Sequence, residues 1–587
     1  MKKKSIFGLL SLILVLSLVL SACGGSGSSS PQVTDKSKFP VAMPASTKTV
    51  KDGTLNVGLV SDTPFEGTFS QEFLTGMPDN DIDSWFEESL LYTADKNYTI
   101  NNSGPATYKL SNGNKTVTIT IRKDLKWSDG YPVTAHDLEY SFLVIGNKKY
   151  NGVRYDSTMT GIKGMTAYHA GKAKDISGVK VINSHKISIT YLHADPTILT
   201  GLWTVPMPYH YLKGIAINKL AASPQIRKKP IGFGPFVVKK IVPGESVQLV
   251  RNDNYWNGKP KLKQVIIKIV NPNVAVASMK NGSVDYEMEF TNDQYANIKG
   301  LKNIKLLGFK DLAYSYIGFK LGHWDAKKGV NVMDNKKMQN VKLRQAMAYA
   351  LDLKTASQKL YNGTYYPATS LIPPSFPGYF NAKQKGYTYD VKKANQLLDQ
   401  AGYKKGKDGY RTDPQGKKFV IHFAAMSGSA VAEPLAKFYI QCWKKVGLDV
   451  QLVNGRLEEF NSFYNDVQND KPGIDVYAAA WATGTDVNPA GLYGKAAMFN
   501  YPRFVNAQNE KLLAEGTSPK AFNHQYRQNV YNQWQALMKE QVPVIPTFFR
   551  YNLTPVNKRV TNFNVDPTVA PNLQDITVTS NTPVKGK

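Results

Sequence analysis

Three groups of residues have types and spacing that could do chemistry. Ser177-Gly-Val-Lys180 sets a hydroxyl three residues before an ammonium, the spacing by which a lysine activates a serine nucleophile in acyl transfer. That chemistry needs the pair at a helix start. Here Val179-Lys-Val-Ile and Lys186-Ile-Ser-Ile-Thr-Tyr191, broken at Asn183-Ser184, read instead as a β-hairpin. An enzyme acting through Ser177 and Lys180 stays open as an alternative. Gly232-Phe-Gly234-Pro235 lacks the third glycine of a dinucleotide loop, and Pro235 obstructs the helix that should open there. The eight histidines are scattered, none within four residues of another, so the two-histidine zinc helix is absent. No phosphate-cradling Gly-x-x-x-x-Gly-Lys occurs. The expectation is a protein that is not an enzyme and carries no metal or cofactor.

The remaining chemistry is a thiol. Cys23 follows Leu20-Ser21-Ala22 at the end of an apolar run from Ile6, itself preceded by Lys2, Lys3 and Lys4. A charged start, a short apolar core and small residues before a cut make a secretory signal, and the run falls short of the roughly 20 residues of a membrane span. A cysteine directly after Leu-Ser-Ala resembles the bacterial lipobox, in which the thiol takes a diacylglycerol and the chain is cut before it. The alternative is a plain secretory signal. Residues 1–22 are then the signal peptide and 23–51 a tether, Gly/Ser-rich and then proline-bearing. As a coil, ~25 residues reach roughly 25–30 Å. Cys442, the second of only two cysteines, lies in the apolar Phe438-Tyr-Ile-Gln-Cys-Trp443 and reads as a buried small hydrophobe.

Hydrophobic residues at 42% and charged residues at 20% describe a globular chain, too long for one domain of about 100–200 residues. The net charge of +28 invites a nucleic-acid reading. The lysines are spread along the chain without a long basic run, so no nucleic-acid partner is expected. A basic surface toward anionic lipid or wall polymer accounts for the charge.

The elements that must position any site alternate. Leu55-Asn-Val-Gly-Leu59, Val117–Ile121, Glu245–Arg251, Gln264–Val270 and Asp449–Val453 read as strands. Thr134-Ala-His-Asp137 is a capping box opening a helix. A long helical stretch is expected over Val341–Tyr361. Another runs from the cap Asp390 through Ala394, Leu397 and Leu398 to Gly402, and a third covers Ala430–Val446. Interleaved strands and helices give an α/β class.

Four blocks, in order, resemble the large extracytoplasmic solute-binding proteins of ABC importers, the oligopeptide and dipeptide class. They are Ile121-Arg through Trp127-Ser-Asp129-Gly130-Tyr-Pro132-Val-Thr134-Ala135-His-Asp137; Pro230-Ile-Gly232-Phe-Gly234-Pro235-Phe236 with Arg251-Asn252 and Tyr255-Trp256; Lys342-Leu-Arg344-Gln345-Ala346 through Asp352; and Tyr389-Asp390 through Ala401-Gly402. The resemblance implies a large periplasmic-binding-protein-like fold, two lobes joined by hinge strands plus an additional small domain. It implies a discontinuous domain I (52–77, 190–305 and 546–587), domain II (78–189) and domain III (306–545). It also implies a monomer, lipid-anchored on the outer face of the cell membrane, that passes oligopeptides to ABC permease subunits.

In such relatives an extended peptide pairs with a strand on either side, so backbone bonds hold it. By resemblance one strand maps to Thr75-Gly76-Met77 and the other to Ala480-Trp481-Ala482. Several relatives carry an aspartate three residues after the tryptophan, facing the peptide α-ammonium. Here Gly484 stands there, and the acid has moved to Asp486 in Thr483-Gly-Thr-Asp-Val-Asn488. Either Asp486 grips the terminus or the terminus overhangs. Same-fold binders of nickel, haem or oligosaccharide, and an adhesive surface protein, remain the other readings.

Overall fold

The computed structural model describes residues 38–586. Cys23, the signal and most of the tether lie outside them. Fifteen strands carry the architecture described below: β1 (Thr54–Val60), β2 (Ala106–Ser111), β3 (Thr116–Ile121), β4 (Val179–Asn183), β5 (Lys186–Thr190), β6 (Phe236–Val242), β7 (Ser246–Arg251), β8 (Gln264–Val270), β9 (Tyr286–Met288), β10 (Ile304–Phe319), β11 (Tyr365–Pro367), β12 (Val420–Ala424), β13 (Asp449–Leu452), β14 (Val476–Ala482) and β15 (Val544–Asn557). One sheet of 11 strands runs in the order β13-β12-β14-β10-β15-β9-β1-β8-β7-β6, with β11 added on β15. The other large sheet is β2-β3-β5-β4, all antiparallel.

Two strands are long enough to pass from one apolar core to another. The first half of β10 pairs with Tyr551–Asn557 of β15, and its second half pairs with Val544–Phe549. Between the halves the register slips: Lys310 faces Tyr551, but Tyr314 faces Phe549. Extra residues in one strand bend it, and Asp311 at this bulge bonds Arg550 of β15 at 2.5 Å. On one side of the bulge, buried Leu55, Val57, Phe86, Val265, Leu307 and Val556 form a core. On the other, Tyr316, Ile317, Trp443, Tyr477, Trp534 and Ile545 form a second and larger one. A third gathers Val117, Ile119, Trp127, Leu138, Phe142 and Ile187 around the four-stranded sheet. These are two lobes joined by paired strands and a smaller body. The expected boundaries 305/306 and 545/546 fall inside β10 and β15.

Helices form where local chemistry starts them: α1 (Met77–Asp83), α2 (Ala135–Ile145), α3 (Val341–Tyr349), α4 (Leu353–Tyr361), α5 (Val391–Gln400), α6 (Ala432–Lys445), α7 (Phe460–Gln468) and α8 (His524–Gln541). Asp137 accepts the Thr134 N–H at 2.7 Å at the start of α2, and Asp390 accepts the Lys393 N–H at 2.8 Å at the start of α5. Gly402, with φ +84°, follows α5. The single helix expected over Val341–Tyr361 is two. Asp352 accepts the Thr355 N–H and hydroxyl, so its side chain starts a new helix where the old one would have continued. Arg344, fully buried, donates to the carbonyls of Met338, Gln541 and Val542, tying α3 to the C-terminal end of α8. Gly232 and Gly234 do not have positive φ. A Cβ on Gly232 would lie 2.0 Å from the Phe86 carbonyl oxygen, so close backbone approach is what requires glycine there. No helix among the described residues is long and apolar enough to cross a membrane.

Candidate functional site

β14 is bonded along one edge only at its far end. Its register with β10 runs from Val476 to Ala482, but with β12 it stops at Tyr477. Thr483 N–H donates to Leu312 O at 2.8 Å. In an antiparallel ladder the bonded pairs alternate, so Trp481 turns its backbone groups toward β10, and Ala480 and Ala482 turn theirs the other way. The Ala480 carbonyl meets only the Tyr464 hydroxyl, at 3.5 Å. This is an open strand edge, able to take an added strand.

The edge borders a cavity of about 420 Å³ whose wall includes Ala478, Ala480, Tyr316, Phe423, Phe460 and Phe548. Phe460 is 59% exposed, a large apolar group left without a cover. Gly428 and Ser429 also line a second chamber of about 720 Å³. Its far wall comes from the first lobe through Leu59, Val60, Met77, Pro78, Asp81 and Glu289. The two chambers form one cleft between the lobes, divided by the Met426–Ala430 loop. That loop, Phe460 and the acids of the far wall were not found by sequence reasoning. Gly428 in Ser427-Gly-Ser429 was the only local sign of a turn there.

Ala480, Trp481 and Ala482 lie on a strand as expected. Trp481 is half-buried and stacks on Tyr501, with centroids 5.3 Å apart. Thr75-Gly76-Met77 does not form a strand. Gly76 is extended, and Met77 is the first residue of α1. Pro78 has no N–H for a ladder but suits a first helical turn. Asp79, behind it, accepts the N–H groups of Glu66 and Thr68 and binds the chain into a loop. Met77 nevertheless lines the cleft, 57% exposed.

Asp486 is engaged by groups of its own lobe and lies close enough to Asp195 and Thr200 to feel both. It accepts the Asn488 N–H at 3.0 Å, and Asn488 in turn accepts the Ala490 N–H, which makes a tight turn. Its carboxylate also stands 4.0 Å from the buried guanidinium of Arg527. Desolvation pushes the Asp486 carboxyl up, and Arg527 opposes that. Gly484 has φ +58° with open space around it, and Thr483 donates its hydroxyl to Leu312 O. Ser177 is exposed, its hydroxyl 3.5 Å from the Lys163 carbonyl, and Lys180 lies exposed on β4 opposite Ser188. Neither borders the cleft. Cys442 is buried on α6, and burial raises its thiol.

Residues 100–501 match the family model of the bacterial extracellular solute-binding proteins, family 5. The chain is 36% identical over 589 residues to the oligopeptide-binding protein OppA of Lactococcus lactis subsp. cremoris, covering 96% of this chain and 97% of that one. It is 26% identical to the oligopeptide-binding protein AppA of Bacillus subtilis, covering 90% and 91%. Among solved structures, lactococcal OppA complexed with an endogenous peptide in the closed conformation matches with a TM-score of 0.75 at 35% identity, covering 90% of this chain and all of that one.

Proposed function

The chain belongs to the bacterial extracellular solute-binding proteins of family 5, and from that premise we propose that it captures oligopeptides between its lobes and delivers them to the membrane permease of an ABC importer. The observation that carries this is the open edge of β14, which takes no strand partner beyond Tyr477 on that side and borders the apolar cavity at Ala478 and Ala480. An extended peptide laid there completes the sheet, and its own amides make the bonds whatever its side chains. On this reading Ala480, Trp481 and Ala482 are the strand that peptide pairs with, and the stretch Thr75-Gly76-Met77 meets it across the cleft, whose far wall Met77 lines. The turn of Thr483, Gly484, Asp486 and Asn488 lies just beyond the strand.

The same reading assigns 52–77, 190–305 and 546–587 to one lobe, 78–189 to the small domain and 306–545 to the other lobe. It holds the protein, a monomer without cofactor, at the outer face of the membrane through a lipid on Cys23. Cys23→Ser is then expected to abolish incorporation of a labelled fatty acid; a mutant that still takes the label removes the anchor from the proposal. The receptor reading is tested by mass spectrometry of small molecules co-purifying with the protein, followed by calorimetry with one recovered species. Peptides of mixed sequence are expected. A single non-peptide solute at full occupancy would overturn the assignment.

A further inference from the structure

The chain carries 73 Lys and Arg against 45 Asp and Glu, yet one chamber of the cleft reverses that sign. The 720 Å³ chamber is lined by Asp62, Asp81, Glu289 and Asp293 and by no lysine, arginine or histidine. Asp81 is 8% exposed, and its Oδ2 has no hydrogen-bond partner. Its charge and that of Glu289 oppose each other, and burial raises both carboxyls, Asp81 to about 7. The guanidinium of Arg550 lowers the Glu289 carboxyl through its charge, but it is bonded to Asp311. Buried Asp81 thus faces the negative charge of Glu289 in a chamber whose lining holds no cation. A cation entering the chamber would relieve that repulsion and give Asp81 Oδ2 a donor.

We propose that this chamber is a subsite for one basic side chain, lysine or arginine, of the bound peptide. The inference rests on the peptide-receptor reading and deepens it. A peptide pinned by its backbone along β14 turns alternate side chains to opposite faces. The shared Gly428 and Ser429 put the acidic chamber next to the apolar one, so the receptor takes apolar residues at one place and a base beside them. Walls of one sign also concentrate the matching ligand before contact.

The test is a lysine scan. An N-acetylated, alanine-rich nonapeptide is made with lysine at each position in turn, and a second set is made with norleucine in the same places. Both are titrated calorimetrically into the whole protein. Lysine is expected to bind about tenfold more tightly than norleucine at one position or two neighbouring ones. That preference should shrink with salt and fall below about twofold in Glu289→Gln/Asp293→Asn, whose replaced groups are exposed and leave folding intact. Asp81→Asn should show the same loss if its melting point is unchanged. A scan in which lysine and norleucine bind alike at every position overturns the subsite and leaves the receptor reading standing. If no peptide of either set binds, the receptor reading fails and the subsite with it.

Discussion

Asp486 and Arg527 face each other across 4.0 Å, and the guanidinium, 2% exposed, also lies over the rings of Tyr379 and Tyr531. An acid already serving a buried cation and capping Asn488 is poorly placed to hold an α-ammonium as well. Asp486→Asn is therefore expected to change peptide affinity by under ~1 kcal/mol, as loss of an exposed pair does. Free and N-acetylated forms of one peptide should bind wild type alike. The cost should appear in folding instead, about 1 kcal/mol, because Arg527 loses its counter-charge while the aspartate's own exposure limits the effect. A large affinity loss confined to the free peptide, measured by calorimetry, would show that Asp486 does grip the terminus. The departure at Gly484 was visible in the sequence. The partner was not, because Arg527 lies 41 residues further on, in α8, and only the packed lobe brings the two together.

Glu287, fully buried on β9, has neither carboxylate oxygen hydrogen-bonded, and burial lifts its carboxyl to about 8. A raised carboxyl favours the folded state while protonated. That contribution is complete below the unfolded value near 4.5 and is lost as pH rises through 8. Between pH 5 and pH 8 the loss from this one group is about 3 kcal/mol. Glu287→Gln should remove it. Melting curves at the two pH values are expected to show a smaller fall in the variant than in wild type; equal falls would mean that Glu287 stays neutral, or stays charged, throughout.

At the level of elements, the bond alternation in β14 separates two prolines. Ala480 directs its N–H into the cleft, where proline removes no bond to β10 and is tolerated as on any strand edge. Ala479, one residue back and facing Tyr316 across the ladder, directs its N–H into the sheet. Ala480→Pro should leave the melting point nearly unchanged and weaken peptide roughly five- to thirtyfold, the worth of one backbone bond and its steric fit. Ala479→Pro should destabilise the fold itself. If Ala480→Pro binds peptide normally, the edge is not where peptide lies. The capping acids Asp137 and Asp390 were legible because a cap acts within three residues. Asp352 escaped notice because the apolar spacing of 341–361 continues across it, while its side chain starts a new helix. The Thr75–Met77 strand failed for a related reason: resemblance transfers position, but Pro78 and Asp79 decide the local backbone.

Across the whole molecule, two lobes with separate cores are joined by β10 and β15, and the pairing of these strands slips where Asp311 meets Arg550. The α/β layers were readable in short-range patterns. Hinge strands came only with the resemblance, and the place where they bend was not readable, since a register slip depends on which residues of two strands face each other, Asp311 and Arg550 being 239 positions apart. A bulge leaves backbone groups unpaired and concentrates bending at one place, so the lobes can rotate about it without disturbing either core. Peptide spanning β14 and the Met77 wall would bond both lobes at once and favour the closed arrangement by its differential affinity. Small-angle scattering is expected to show a smaller radius of gyration at saturating peptide. The melting point should rise with it, corresponding to about 2.7 kcal/mol at a hundredfold excess over Kd. The two readouts separate binding from closure. A raised melting point with an unchanged radius would mean that peptide is held by one lobe alone, and the hinge assigned to the bulge at Asp311 would then have to be abandoned.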